Sequence, residues 1–408
     1  MRIFQKTFVA LEEKPYRNLW LGSLFQTGAM QMQGMARGFF VYQITGSPIL
    51  LGIVSGAWAA PALIFGLFGG VMADRLNKKL LIQVGHTISI SMSLFIGYAI
   101  TSGIVTWQHL LFVSLIQGFT MPLMIPARQS LIPQLITKEH ITNAVALISL
   151  ARSLTTMAGH VIAGALIALI NVDGVYYVIA GMYMSAFLFT AKIPIVEQKT
   201  ETPPSPVISD LLDGLRYVSK NKILLQSIVL SFVTMMLAMP LTFVLPIFAQ
   251  DIFSVGPLGL GIMSSSIGLG SLIGAVIIAS KNRIARPGIV MISSTIISGL
   301  LMLGLGAYCL LNPIYIVTIG FLILIGISQS YRMTLNNAII VQHAVHSFRG
   351  RVMSINALSF ALIPAGVIPM TAAINLVGAP QALILMALML IGVTSIMMIT
   401  SGKLRRVE

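Results

Sequence analysis

Long apolar runs, separated by short polar breaks, fill the chain from near its start to near its end. A helix that crosses a bilayer needs roughly 20 apolar residues in succession. Runs of that length predict twelve spanning helices. The predicted spans are residues 18–42, 49–73, 80–100, 107–128, 141–170, 175–195, 223–250, 259–280, 288–310, 315–332, 351–375 and 382–401.

The positive charges alternate along the chain with these runs. Six connections contain no lysine or arginine: 43–48, 101–106, 171–174, 251–258, 311–314 and 376–381. All but two of the 25 cations, Arg37 and Arg152, lie in the other connections, at the span ends beside them, or at the termini. Cytoplasmic loops carry such an excess of cations. We therefore expect a multi-pass protein of the cell inner membrane with both termini cytoplasmic, which agrees with an even number of spans.

The composition also requires lipid as the solvent. The chain of 408 residues is 56% hydrophobic and 9% charged, whereas a soluble domain carries about 25% charged residues. The net charge of +14 follows the loops and so reports topology; we expect no nucleic-acid partner. A single cysteine, Cys309, excludes a disulfide framework and any CxxC motif.

One connection differs from the others and divides the spans six and six. Residues 196–222 contain Pro-Pro-Ser-Pro, which is typical of a linker. This predicts an N-terminal bundle at 1–195 and a C-terminal bundle at 223–408. Apolar residues on one helical face predict an amphipathic helix on the inner membrane surface, and the alternative is a solvated helix that only ties the halves together. That face contains Leu211, Leu212, Leu215 and Val218, and Ser209 is the predicted N-cap.

The two halves resemble each other. Residues 45–55 (TGSPILLGIVS) align without gaps with 254–264 (SVGPLGLGIMS), and both stretches enter the second span of their half. Parallel six-helix repeats build one large class of transporters, with substrate handled between the halves. Glycines four residues apart in these second spans predict close helix packing. The pairs are Gly52 with Gly56, Gly66 with Gly70, and Gly270 with Gly274.

The loop after the second span carries a recognisable motif. Residues 70–79 read GVMADRLNKK, which resembles the signature Gly-x-Leu-Ala-Asp-Arg-x-Gly-Arg-Lys of the major facilitator superfamily. The resemblance implies an all-α membrane fold of two pseudo-symmetric six-helix bundles. It also implies that Asp74 latches the cytoplasmic side shut against the helix that begins near Gly350. The gate residues implied are Gly70, Asp74, Arg75, Lys78 and Lys79 in this loop, and Arg349, Gly350 and Arg351 in the partner segment.

Three further stretches are similar to one branch of this superfamily. They are TGSPILLG after the first span, PARQSLIPQLI at 126–136 and RGRVMS at 349–354, and they resemble the drug–proton antiporters that include macrolide and enterobactin-type exporters. The resemblance implies a monomeric secondary exporter of drug-like or siderophore-like amphipathic small molecules, working by alternating access without a cofactor and driven by the proton gradient.

Two departures from that branch and two alternatives stay open. Ser114 stands where the branch has an arginine, and His160 stands where it has a proline. A solute importer of the same fold is the alternative function. A membrane-embedded enzyme is the rival class, but we predict no catalytic residues and no metal site, since no clustered catalytic set falls within the spans. An ATP-driven pump would need a GxxxxGK[ST] loop, which the chain lacks.

None of the eleven acidic residues falls in the middle of a predicted span, so the polar residues there are the candidates for gating and coupling. We expect Arg37 and Asp251 to pair as an outer gate; alternatively, Arg37 snorkels to the interface and Asp251 caps a turn. Arg152 and His160 share a helix face, and His160 could carry the coupling proton. The alternative is that backbone carbonyls satisfy the side chains of Arg152 and His160. Gln117 is a candidate hydrogen-bonding residue of the cavity.

Overall fold

The computed structural model describes residues 8–65, 76–194, 207–281, 284–311, 313–345 and 348–407. Within these ranges the chain forms helices joined by short turns. The helices are α1 (Lys14–Thr45), α2 (Pro48–Phe65), α3 (Lys78–Thr101), α4 (Trp107–Leu135), α5 (141–169), α6 (172–191), α7 (Val207–Lys220), α8 (Lys222–Ile252), α9 (Gly256–Ala279), α10 (Pro287–Cys309), α11 (Tyr315–His343), α12 (Arg349–Val377) and α13 (Ala379–Thr400).

The described helices have the length and composition of membrane spans. Ten segments in the described part of the chain are long and apolar enough to cross a bilayer. The longest, Asn143–Ala191, is broken at Ile170 and Asn171, where Asn171 adopts φ 58°, and this break separates α5 from α6. The more polar α1 has 32 residues and is long enough to span. The predicted all-α membrane fold is confirmed, and these helices are consistent with twelve spans.

The chain divides into two compact units. The first unit comprises Met1–Ile44 and Ala60–Pro204, and the second comprises Thr45–Ala59 and Ser205–Glu408. The later division falls within the predicted linker, 196–222. The first part of α2 belongs to the second unit, together with α7 to α13.

The repeated sequence begins a helix in the same way at both of its copies. In the first copy, Ser47 caps α2 by accepting a hydrogen bond from the Leu50 backbone N–H at 3.3 Å, and Pro48 occupies the first turn. In the second copy, Pro257 occupies the first turn of α9. Proline suits this position because the first N–H groups of a helix have no intrahelical acceptor. The predicted entry into the second span of each half is confirmed.

Glycines bring α9 and α11 together within the second unit. A Cβ added to Gly270 would overlap the carbonyl oxygen of Ile323, and one added to Gly274 would stand 2.9 Å from the carbonyl oxygen of Ile327. Across the same contact, a Cβ on Gly326 would overlap the carbonyl of Ile267. Backbones approach this closely in lipid only where the side chains are absent. The close packing predicted from Gly270 and Gly274 is confirmed.

The same device joins α2 to α12 in the second unit. A Cβ on Gly52 would overlap the side chain of Thr371, and a Cβ on Gly56 would lie 3.2 Å from the ring of Pro364. This pair of glycines therefore also packs as predicted. The pair Gly66 and Gly70 lies outside the described residues.

The linker helix α7 packs against other helices of the second unit through residues near its own C-terminal end. The ring of Tyr217 stacks on Phe348 with centroids 4.5 Å apart, and its hydroxyl accepts a hydrogen bond from the Val345 N–H at 3.1 Å. Leu212 and Leu215 remain exposed. The helix begins at Val207, before Ser209, so the prediction that Ser209 is the N-cap is wrong. Ser209 lies inside the first turn of the helix.

Candidate functional site

Two of the predicted polar residues meet inside the first unit. The guanidinium of Arg37 on α1 is 9% exposed, and its Nη1 donates a hydrogen bond to Oε1 of Gln117 on α4 at 2.8 Å. The phenols of Tyr176 and Tyr183 on α6 are close enough to interact electrostatically with Arg37. A charged donor makes this bond stronger than a neutral one. Asp251, the predicted partner of Arg37, belongs to the other unit, so the outer gate pair stays a prediction.

A second polar cluster in the first unit centres on Gln26 of α1. His86 on α3 is 1% exposed, and its Nε2 donates to the amide oxygen of Gln26 at 3.1 Å. Nη2 of Arg128 on α4 donates to the same oxygen. The other ring nitrogen of His86, Nδ1, is buried and has no hydrogen-bond partner in the described part of the chain. One amide oxygen thus serves two donors.

The pattern of polar residues in the sequence does not predict the cluster of Gln26, His86 and Arg128. His86 lies within the predicted third span, and that polarity was a usable signal. Arg128 stands at the predicted end of the fourth span and so counts as an edge cation. The contacts join residues 60 and 102 positions apart, and periodicity alone does not bring such residues together.

The two candidates on α5 have different environments. Nδ1 of His160 lies 2.9 Å from the carbonyl oxygen of Thr156, and His160 is half-buried. A carbonyl only accepts hydrogen bonds, so Nδ1 carries the proton and Nε2 is the basic nitrogen. Arg152 is exposed. For His160, a backbone carbonyl satisfies the ring at Nδ1, as the alternative predicted. No hydrogen bond joins Nε2 to another described residue.

Lys78 and Lys79 are the gate-loop residues that the structure describes. Lys78 is the first residue of α3, and Asn77 caps the helix by accepting from the Leu80 N–H at 3.2 Å. Lys79 Nζ donates to two backbone carbonyls at the C-terminal end of α6, those of Ala191 and Ile193, each at 2.7 Å. A cation at this helix end offsets the partial negative charge of its carbonyls. Gly70, Asp74 and Arg75 lie outside the described residues.

The partner segment of the predicted gate forms the first turn of α12. This helix begins at Arg349, next to the residue where the resemblance places its start. Nε of Arg349 donates to the Ala344 carbonyl at 3.2 Å, and the Arg351 guanidinium lies 5.1 Å from the Phe348 ring centroid. Gly350 between them is exposed, with no atom near its absent Cβ. An accessible helix N-terminus is a suitable partner for a carboxylate.

A second buried arginine, Arg332, lies in the second unit, and the predicted spans did not place it inside the membrane. The prediction ended the tenth span at residue 332, but α11 continues to His343. Arg332 therefore lies eleven residues, about 16 Å, before the helix end. It is 6% exposed and lines a narrow cleft with Gln329 and Ser298. No hydrogen bond or ion pair joins Arg332 to another described residue.

In the described spans, the charged side chains away from the span ends are cationic; of these, Arg37 and Arg332 are buried and Arg128 is half-buried. Arg37, Arg128 and Arg332 lie within helices of the spans, while Asp173 and Asp251 lie at span ends. In the described ranges, no three His, Cys, Asp or Glu side chains come together as metal ligands would. The arrangement provides cationic and amide donors along apolar helices. Such donors can bind and orient polar groups of a solute.

The fold and these sites define a polytopic membrane transporter. Residues 5–408 match the family described as transmembrane secretion effector, and the chain belongs to this family of the major facilitator superfamily. Its relatives are transporters and not enzymes.

Three bacterial relatives show the range of similarity. The chain is 22% identical to an uncharacterised major-facilitator-type transporter, YfiS of Bacillus subtilis, over 48% of this chain and 46% of that protein. It is 20% identical to macrolide efflux protein A of Streptococcus pyogenes over 86% of this chain and 87% of that protein. It is 26% identical to the enterobactin exporter EntS of Shigella boydii over 83% of this chain and 79% of that protein. The chain thus spans about half of YfiS and most of the other two.

Solved structures share the fold. A POT family transporter in complex with 5-aminolevulinic acid superposes with a TM-score of 0.78 at 15% identity, over 96% of both chains. A bacterial homologue of the human lysosomal transporter Spinster, inward-facing and unoccupied, gives a TM-score of 0.74 at 12% identity, over 96% of this chain and 98% of that one.

Proposed function

We propose that this protein is a secondary active exporter of drug-like or siderophore-like amphipathic small molecules. The family match across residues 5–408 carries the proposal. Relatives that share most of their length with this chain are named for macrolide efflux and for enterobactin export. Apolar spans that contain a few buried cations and amides suit solutes that are largely apolar with some polar groups.

The proposed mechanism is alternating access by two halves, each built from six spans. Parallel repeats of this kind work by moving one half against the other around a site near the bilayer midplane. The structure supports this scheme through the repeated helix starts at Pro48 and Pro257. The positive-inside pattern supports cytoplasmic termini, and we propose that the protein acts as a monomer in the inner membrane.

The cytoplasmic gate is proposed to join Asp74 to the first turn of α12. The accessible N-terminus at Arg349, Gly350 and Arg351 supports it, since a helix N-terminus attracts a carboxylate. Asp74→Asn removes the charge at nearly constant size and is expected to slow transport at least several-fold. The matched control is Asp213→Asn on α7, where the Asp213 carboxylate makes only an exposed ion pair with Arg216.

The outer gate is proposed to pair Arg37 with Asp251. In the structure Arg37 donates to Gln117. In a state closed on the outer side, Arg37 would donate to Asp251 in place of Gln117, or to both. Arg37→Asp and Asp251→Arg should each reduce transport, and the double exchange should restore part of it because the opposite charges are again paired. Equal transport by wild type and Arg37→Gln would refute the outer gate.

The proton gradient is the proposed driving force, with His160 as the titrating group. The basic Nε2 of His160 supports this choice, as does the absence of carboxylates from the interiors of the described spans. Histidine is the side chain that ordinarily titrates near neutral pH. Proton coupling through His160 would replace the buried carboxylate that many such transporters use.

Two experiments test the function. A strain that lacks the gene should become more sensitive to a panel of macrolides, siderophores and neutral amphipathic dyes, and the intact gene should reverse this. Proteoliposomes that contain the purified protein should then take up the active solutes faster than protein-free liposomes. Uptake of none of the panel would refute export of this class of solutes.

A further inference from the structure

The Arg332 cleft, which we define by Arg332, Gln329 and Ser298 and the apolar residues around them, lies wholly within the second unit. Ser298 comes from α10, Gln329 and Arg332 come from α11, and Leu241 of α8 and Ile267 of α9 also line the cleft. The cleft is narrow, so it admits a small group of a solute. It is distinct from the polar clusters around Gln26 and Arg37 in the first unit.

The charge of Arg332 is unmatched. Arg37 and Arg128 each donate to the amide oxygen of a glutamine, whereas no described residue accepts a hydrogen bond from Arg332, although it is 6% exposed. The nitrogens of Arg332 are not among the fully enclosed polar atoms of the described residues that lack a partner, so they are open to the cleft. An acceptor that enters the cleft can therefore reach the guanidinium and bond to it.

The neighbours of Arg332 add further donors. The Gln329 amide nitrogen contacts only the sulfur of Met239, at 3.5 Å, which is a weak acceptor. The Ser298 hydroxyl is 7% exposed and has no hydrogen bond to another described residue. The guanidinium, the amide and the hydroxyl can therefore all donate into the same space. No acidic side chain lines the cleft.

The other residues that line the Arg332 cleft are apolar or have their hydroxyls satisfied within their own helix. The satisfied hydroxyls, which donate to backbone carbonyls, belong to Thr234, Thr242, Ser294, Thr295 and Ser328. Leu241, Ile267 and Ile325 line the cleft beside the donors, and Leu241 and Ile325 are buried. An acidic group attached to an apolar body therefore fits better than a free inorganic ion. The planar fork of arginine matches the two oxygens of a carboxylate.

We propose that the Arg332 cleft binds the carboxylate of an amphipathic solute, with only the carboxylate inside the narrow cleft, at Arg332. This deepens the proposed function and rests on it, because it assigns anionic amphipaths as a substrate class of the exporter. Donation by Gln329 and Ser298 completes the coordination of the carboxylate.

The test compares one acid with its own ester on the purified, full-length protein. The probes are dansyl-phenylalanine, which is anionic, and its methyl ester, which is neutral but has the same apolar body. Binding is measured by equilibrium dialysis in detergent for the wild type, Arg332→Gln, Arg332→Lys and the control Arg216→Gln. Arg216 is an exposed residue of α7, so its variant makes the same chemical change away from the cleft.

The wild type should bind the acid at least tenfold more tightly than the ester. Loss of a charge-assisted, two-pronged contact should weaken acid binding by Arg332→Gln about 10- to 100-fold and leave the ester unchanged, which also shows that the variant is folded. Arg332→Lys should fall between, since it keeps the charge and loses the fork. Arg216→Gln should match the wild type.

The outcomes separate this inference from the function on which it rests. Equal binding of acid and ester by the wild type, binding of neither probe, or undiminished acid binding by Arg332→Gln would overturn it. Uptake of neutral solutes by proteoliposomes together with any of these results would leave the exporter standing and remove only the anion site. Selective acid binding without uptake of any solute would establish the site and refute transport.

Discussion

The guanidinium of Arg37 and the amide of Gln117, 80 residues apart in the chain, are joined by a hydrogen bond of 2.8 Å between α1 and α4. Arg37 is 9% exposed, so Gln117 is the acceptor that makes its burial tolerable. The bond fixes two helices of the first unit to each other through a charge rather than through apolar packing. Its strength can be measured separately from transport.

Replacing Gln117 with alanine is expected to destabilise the protein by about 1.5–3 kcal/mol, because the Arg37 guanidinium loses its acceptor. Thermal unfolding of the purified protein in one detergent measures this. Gln134→Ala, at an exposed position of the same helix, is the control and should be neutral. The double variant Arg37→Gln, Gln117→Ala should lose less than the sum of the single changes. Equal melting temperatures for Gln117→Ala and Gln134→Ala would contradict this account of the bond.

Gly270→Ala is expected to force α9 and α11 apart, since the new Cβ would overlap the Ile323 carbonyl. Overpacking of this kind costs about 1–3 kcal/mol. Gly320→Ala on α11 is the matched control, because nothing lies within 4 Å of its added Cβ. Thermal unfolding should show a lower melting temperature for the first variant only. An unchanged melting temperature for Gly270→Ala would mean that this helix contact is looser than described.

Lys79→Met is expected to lower the free energy of unfolding by about 1 kcal/mol, since the carbonyls of Ala191 and Ile193 at the end of α6 lose their cationic donor. Lys78→Met is the control; Lys78 neighbours Lys79 on α3 but makes no such bond in the described part of the chain. Urea unfolding of the two variants, followed by intrinsic fluorescence, compares them. If Lys78→Met is destabilised as much as Lys79→Met, stability depends on the number of positive charges in this loop and not on the hydrogen bonds from Lys79 to the two carbonyls.

Transport is expected to depend on pH through His160. A proton on Nε2 would make the ring cationic, so the wild-type rate should change with pH. His160→Asn should flatten this profile. His343→Asn is the control, because that ring also lies against a backbone carbonyl, of Ile339 at 3.0 Å, but at the end of α11. A wild-type rate that is insensitive to pH, or an unchanged profile in His160→Asn, would remove His160 as the proton carrier.

Much of the fold follows directly from the sequence. Apolar length and charge alternation predict the spans. The repeat that contains Pro48 and Pro257 predicts the entry into two of them. Proline suits a helix start because the N–H group that it lacks would have no intrahelical acceptor there. Glycine spacing likewise predicts that α9 packs closely against a neighbouring helix, which the structure shows to be α11. These features depend on residues close together in the chain.

The missed features depend on depth and on tertiary contact. Hydropathy predicts the apolar length of a helix and not its whole length. Because α11 extends past its apolar run to His343, hydropathy places Arg332 at the edge of a span although it lies within the helix. His86, Gln26 and Arg128 meet only after three helices pack. The sequence shows that polar residues occur there, but it does not show which of them share an acceptor.

The most direct test of transport is uptake into proteoliposomes that contain the purified chain and have an acidic lumen. We predict that at least one solute of the macrolide, siderophore and dye panel accumulates faster than in protein-free liposomes, and that collapse of the pH gradient slows its uptake. Uptake equal to that of protein-free liposomes for every solute would contradict the claim that this chain exports amphipathic molecules.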